Sequence, residues 1–198
     1  LQVLDCAVLV ISGADGVQGH TETLWKLLTR YGIPVFLFVN KMDQEGTDGE
    51  KLLKELRKRF GENVVPFVDI MTESDCPGGK VYLHTKESAV EDVLEELAVC
   101  EDDMMEEYLE EGRISLDKVQ KAVADRQVFP CYFGSALHSQ GVEELLDGLD
   151  LYIKDKTYPA EFGAKVYKIA RDNQGNRLTY LKVTGGRLKV KDVVEGLN

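Results

Sequence analysis

The run Val35-Phe36-Leu37-Phe38-Val39 constrains this chain more than any other stretch, because it is apolar, aromatic and β-branched throughout and then stops at Asn40-Lys41-Met42-Asp43. It is too short for a typical helix and lacks the alternation of a half-solvated strand, so it predicts a central strand covered on both faces of a sheet. In open α/β sheets, ligands bind at the carboxyl ends of such strands. Asn40, Lys41 and Asp43 stand at that end. An ionised aspartate offers acceptors only, so it takes two parallel hydrogen bonds from a ring N–H and an adjacent amino group. The Lys41 stem can lie along a planar ring, and the Asn40 amide can tie neighbouring loops together.

The segments on either side supply a framework for that strand. Leu4 to Ile11 reads as a second buried strand, and Ser12-Gly13-Ala14-Asp15-Gly16 as the loop after it. From Thr21 onward, Leu24, Leu27, Leu28 and Tyr31 recur at helical spacing until Gly32-Ile33-Pro34 stops the helix. Strand, helix, strand is the unit of a parallel sheet with a right-handed crossover. The fold class expected is therefore α/β, a mostly parallel sheet with helices on both faces. After Asp43, Asp48 is a good helix cap, Leu52, Leu53, Leu56 and Phe60 share one face, and Gly61 ends the helix. Val64 to Ile70 reads as a strand that Pro66 moves toward an edge.

Thr72 to Thr85 is loop-rich. Ser88 with Glu91 makes a capping box for a helix striped by Val90, Val93, Leu94 and Leu97, and Met104, Met105, Tyr108 and Leu109 continue into a second. Ser115 caps a third, bearing Leu116, Val119 and Val123. Val128 to Phe133 is the last strand of the sheet in sequence. Gly134-Ser135-Ala136-Leu137 leaves its carboxyl end before a helix marked by Val142, Leu145, Leu146, Leu149 and Ile153.

Charge distribution matters more than the formal net charge of −11. Between Glu87 and Glu111 there are twelve acids and no Lys or Arg, an acidic face that reads as solvated rather than metal-binding. From Lys154 to Asn198, ten Lys or Arg face five acids, so that piece can lie against phosphate. No run approaches the roughly 18 apolar residues of a membrane span, so no membrane partner is expected. Cys6, Cys76, Cys100 and Cys131 are far apart with no CxxC pair, as reduced cysteines of a cytoplasmic protein would be. Leu1-Gln2-Val3 carries neither an initiator Met nor a basic leader, and the chain reads as an excised piece of a longer one.

Asn40-Lys41-Met42-Asp43 after a hydrophobic strand resembles the guanine-recognition motif N-K-x-D of GTPases. The ring N–H and amino group that an aspartate accepts are the edge that guanine presents and adenine does not. Gly134-Ser135-Ala136 resembles the second guanine loop of that family, in which a backbone N–H near the Ala meets the base O6. Gly16-Val17-Gln18 with Thr21, and the later Asp102-Asp103-Met104-Met105-Glu106-Glu107-Tyr108-Leu109, resemble segments of translation GTPases of the elongation factor G class. Within that class, Asn40 to Gln44 with Gly46 and Asp48, and Phe129 to Ala136, look most like the tetracycline-resistance ribosomal protection proteins. The short Asp69 to Thr85 stretch also leaves little room for the insert that elongation factor G carries there.

The resemblance covers almost the whole chain and implies guanine-contacting positions at Asn40, Lys41, Asp43, Ser135, Ala136 and Leu137. It implies GTP or GDP as the ligand, with Mg²⁺ in the parent protein but no ligands for it here. The ribosome is the implied partner of a monomeric parent that hydrolyses GTP. It divides the chain into 1–156, the C-terminal portion of a GTPase domain, and 157–198, the opening of a β-barrel. In the latter, Ala164 to Ile169 and Leu178 to Val183 read as strands around a turn at Asn173-Gln174-Gly175-Asn176.

No GxxxxGK[ST] loop occurs: Gly79-Lys80 has Ser74 where the first Gly belongs and Val81 where Ser or Thr belongs. The D-x-x-G-H motif is also absent, and His20 follows Gly19 without an Asp-x-x-Gly. No catalytic residue is therefore assigned, and the chain alone is expected not to hydrolyse GTP. A nucleophilic Ser135 with His138 as base is the rival reading of Gly-Ser-Ala-Leu-His, but G-x-S-x-G is not matched. Two wider alternatives stand beside the resistance reading, a general elongation or release factor of the same class and a nucleotide-independent α/β binding module.

Overall fold

The computed structural model describes residues 1, 3–67, 70–73, 82–85 and 93–193. The chain divides into two units, one of Leu4–Lys154 and one of Leu1–Val3 with Asp155–Asn198. Within the larger unit the elements run β1 (Ala7–Ser12), α1 (Gly19–Arg30), β2 (Val35–Asn40), α2 (Gly49–Phe60), β3 (Val64–Pro66), β4 (Ile70–Glu73), β5 (Tyr82–Thr85) and α3 (Val93–Val99). They continue as α4 (Asp102–Glu111), β6 (Ile114–Ser115), α5 (Leu116–Ala124), β7 (Phe129–Phe133), a 3₁₀ turn (Ala136–His138) and α6 (Val142–Tyr152).

The main sheet has the order β1-β2-β7-β3, and every pairing in it is parallel. Successive side chains of a strand point to opposite faces, and β2 uses both. Phe36 and Phe38 enter one core with Leu97, Met104, Val119 and Tyr132. Val35, Leu37 and Val39 enter the other with Trp25, Leu28, Leu52, Leu56 and Phe60. Helices α1 and α2 therefore cover one face, and α3 to α6 the other. At about 1.5–3 kcal/mol per fully buried large side chain, these five residues of β2 contribute on the order of 10 kcal/mol.

β7 lies between β2 and β3 although it comes last in sequence. Its Pro130 precedes the Leu37–Cys131 position where pairing with β2 begins, so its missing N–H interrupts no bond there. β3 is at an edge, as Pro66 predicts. β1 departs from expectation. It is the other edge strand, and its residues alternate, with Leu9 and Ile11 buried under the helices and Val10 57% exposed. The α1 stripe also shifts: Trp25 and Leu28 are buried while Leu27 and Tyr31 are exposed. Trp25 stacks on Phe60 at 4.5 Å and meets Phe129 edge-on at 4.7 Å, and that aromatic cluster sets the rotation of the helix.

The strand expected over Val64 to Ile70 is shorter, ending at Pro66, and the Thr72 to Thr85 stretch expected to be loop-rich holds the end of β4 and all of β5, which with β6 form a separate antiparallel sheet. The capping box at Ser88 and the Gly78-Gly79-Lys80 triplet lie outside the described residues. Asp48 does cap α2, accepting from the Lys51 N–H at 3.1 Å. Ser115 precedes α5 but does not cap it through its side chain. Its hydroxyl and its N–H both donate instead to the buried Glu107 carboxylate, each at 2.9 Å. Leu109 and Leu146, expected on apolar stripes, are exposed.

The smaller unit is built on an antiparallel hairpin, β8 (Gly163–Arg171) and β9 (Arg177–Gly185), with irregularities at Gly163/Ala164 and Val166/Lys168. Asp172 organises its turn, accepting from the N–H groups of Gln174 and Asn176 at 2.8 Å and from Asn176 Nδ2 at 2.9 Å. No strand follows Gly185 among the described residues, although Arg187 to Val190 continue the alternation.

Candidate functional site

Two loops meet at the carboxyl ends of the adjacent strands β2 and β7. Their joint is main-chain work. Gly134 N–H donates to Val39 O at 2.9 Å, Met42 N–H donates to Gly134 O at 3.0 Å, and Gly13 N–H from the loop after β1 donates to Asn40 O at 2.7 Å. Space enforces the same arrangement. A Cβ on Gly13 would lie 2.9 Å from Met42 Sδ, and one on Gly134 would collide with the Gln140 carbonyl.

Asn40 locks the loops from its side chain. Its Oδ1 accepts from the Lys41 N–H at 2.8 Å and from the Ala136 N–H at 2.9 Å, so one amide oxygen spans 96 residues of sequence. Lys41 follows with φ 66°, in the left-handed region that side chains rarely adopt. That turn carries the chain off the strand and leaves Lys41 and Asp43 exposed. Thr47 braces the far side, its hydroxyl donating to Met42 O and Gln44 O at 2.9 Å each.

Asp43 faces the second loop. The Ser135 hydroxyl is the main influence holding its carboxyl below the usual carboxylate range, against a smaller rise from burial, and its own backbone N–H and His138 act in the same lowering direction. The carboxylate is thus an ionised acceptor at neutral pH. Ser135 is only 1% exposed, and its Oγ, the largest influence on Asp43, makes no formed hydrogen bond. His138 Nε2 lies 3.7 Å from Asp43 Oδ2.

The 3₁₀ turn finishes the site. Its first residue, Ala136, spends its N–H on Asn40, whereas the Leu137 N–H, in the opening turn of a short helix, has no intrahelical acceptor. The Leu137 side chain is 85% exposed. Ser135 also bridges back to Gln140, with N–H to O bonds of 3.0 Å in both directions, which closes the loop ahead of α6.

Of the six positions singled out in the sequence, Asn40 ends β2 and the other five lie on the two loops that follow β2 and β7. Gly134 and Met42 stood in the quoted motifs without a role of their own, whereas Gln140 had no signal in the sequence and Gly13 only its placement directly after a strand. The serine-nucleophile reading loses its base, because His138 is directed at Asp43 and Ser135 Oγ has no hydrogen-bonded partner. Among the described residues no group of three His, Cys, Asp or Glu is placed to hold a metal ion. A cavity of about 490 Å³ lies elsewhere, at the Gly61 end of α2, lined by Lys54, Arg57, Lys58 and Glu62. Arg57 there is already engaged by Val64 O and Glu96. No helix among the described residues is long and apolar enough to cross a membrane.

Known proteins share this architecture. A crystal structure of a protein from Thermus thermophilus matches with a TM-score of 0.70 and 25% identity, over 96% of this chain and 33% of that one. The chain therefore spans about a third of the length of that relative. Residues 1–155 match the family model described as the elongation factor Tu GTP binding domain. The parallel sheet with its helices is the α/β architecture of that domain, and the chain belongs to the elongation factor Tu GTP-binding domain family of translation GTPases.

Proposed function

We propose that this chain is the guanine-recognising part of a translation GTPase whose full-length form hydrolyses GTP on the ribosome. The single observation that carries the reading is the Asn40–Ala136 bond, which holds an ionised Asp43 and the opening N–H groups of the 3₁₀ turn side by side at the carboxyl ends of the two central strands. In this reading Asp43 accepts from the ring N–H and the 2-amino group of guanine. The Leu137 N–H donates to O6, while the Ala136 N–H stays on Asn40 and holds the turn in place. Adenine is rejected because it would set an amino group against that donor and leave Asp43 with no N–H partner, and unpaired polar groups in a site are costly. Lys41 and Leu137 border the base with their aliphatic parts.

The phosphates and Mg²⁺ belong to other parts of the parent, since phosphoryl transfer requires a phosphate cradle and a positioned water. This chain's residues bind and orient the base; none is assigned to the hydrolytic step. Residues 1–156 form the GTPase portion in this proposal and 157–198 open a β-barrel domain. The parent acts as a monomer in the cytoplasm.

The finer assignment is a tetracycline-resistance ribosomal protection protein. It rests on Asn40 to Gln44 with Gly46 and Asp48, and on Phe129 to Ala136. Expression of the full-length gene in susceptible cells tests it: tetracycline tolerance that Asp43→Asn abolishes is expected, and unchanged susceptibility would leave a general translation factor instead.

A further inference from the structure

In the sequence His138 has a role only as a partner for Ser135, and the structure gives it a different neighbour. Its Nε2 stands 3.7 Å from Asp43 Oδ2, on the first turn of the loop that also carries Ser135, Ala136 and Leu137. The separation is beyond hydrogen-bond range, so the contact is a charge–charge one that exists only when the imidazole is protonated. Both side chains reach solvent, 56% for His138 and 28% for Asp43. The imidazole is therefore free to swing without breaking a packed core. Among the described residues Asp43 is the only acidic group within 4 Å of its nitrogens, and the Ser135 hydroxyl is the other polar group facing Asp43.

We propose that His138 is a specificity-setting positioning residue that competes with the base for Asp43 Oδ2, making guanine recognition pH-dependent. The proposal rests on the guanine reading of the site. Asp43 needs both oxygens for a two-bond contact with a ring N–H and an amino group, and a protonated His138 holds one of them. When the imidazole is neutral the oxygen is released to the ligand. Imidazoles as a class change charge between about pH 5 and 8. Asp43, held below the usual carboxylate range, stays ionised throughout that window.

Guanosine titrations of the 198-residue chain, followed by ligand-observed NMR from pH 8 to pH 6, test this with His138→Gln and Asp43→Asn alongside. Wild-type affinity is expected to fall about two- to fivefold as pH falls, the range an exposed ion pair supports. His138→Gln is expected to hold the pH 8 affinity at both ends. Parallel pH profiles for wild type and His138→Gln, or a His138-dependent gain in affinity at pH 6, would overturn the proposal while leaving the base reading intact, provided Asp43→Asn abolishes binding. Guanosine binding that is absent in the wild type, or unchanged by Asp43→Asn, would overturn both. Amide spectra of His138→Gln that match wild type outside the two loops separate this effect from a loss of fold.

Discussion

At the scale of single residues, the chemistry of the site turns on which side chains only accept. Asp43 is ionised and acceptor-only, so Asp43→Asn does more than weaken a contact. It converts one acceptor into a donor, and a donor matches a purine that carries a carbonyl at position 2. The variant is expected to lose guanosine binding by at least about tenfold and to prefer xanthosine, a reversal visible in competition titrations. A variant that keeps guanosine preference would show that Asp43 does not meet the base. Asp172 offers an independent residue-scale check far from the site in sequence. The Asn176 side chain first, then its backbone N–H and those of Gln174 and Gly175, holds the Asp172 carboxyl below its ordinary value of 3.8. A depressed folded-state pKa contributes stability above the unfolded value and loses it as pH falls through the folded one. Carboxyl NMR titration should therefore place Asp172 below 3.8 in the wild type and higher in Asn176→Ala, with the hairpin turn loosening in the same acid range.

At the scale of elements, Trp25 ties α1 to α2 and β7 through Phe60 and Phe129, and Arg126 lies 5.1 Å over its ring. Trp25→Ala empties the centre of that cluster and is expected to cost about 3–5 kcal/mol in urea unfolding, typical of a large buried aromatic. A cost below about 1 kcal/mol would mean the helix is held elsewhere. The same element shows where sequence patterning stops. β2 was legible because all five of its apolar residues are buried, and a run without alternation has one stable setting. β1 has a similar composition but sits at an edge, and nothing in its own residues says whether a neighbour covers Val10. The α1 stripe of Leu24, Leu27, Leu28 and Tyr31 fits helical spacing, yet two aromatic partners contributed by distant elements turn Trp25 inward. Ser115 has the local spacing of a helix cap, and that spacing cannot reveal that Glu107, buried eight residues earlier, claims its hydroxyl. β5 and the end of β4 read as loop in sequence because the strands are only four residues long and draw their pairing from segments outside themselves.

At the scale of the whole molecule, the larger unit is a three-layer α/β sandwich whose order β1-β2-β7-β3 brings together segments far apart in sequence. That adjacency could be anticipated from two strand ends carrying related motifs. The bond from Ala136 N–H to Asn40 Oδ1 could not, because it depends on the left-handed turn at Lys41 and the close approach at Gly134. These two loops together form a guanine-selective pocket in the proposed reading, made from this chain's own residues. Saturation-transfer NMR of the chain with guanosine and adenosine side by side tests it most directly. Transfer to the guanosine H8 and H1′ protons, absent for adenosine and lost in Asp43→Asn, is the predicted result; equal transfer to both nucleosides, or guanosine transfer that survives Asp43→Asn, would contradict it.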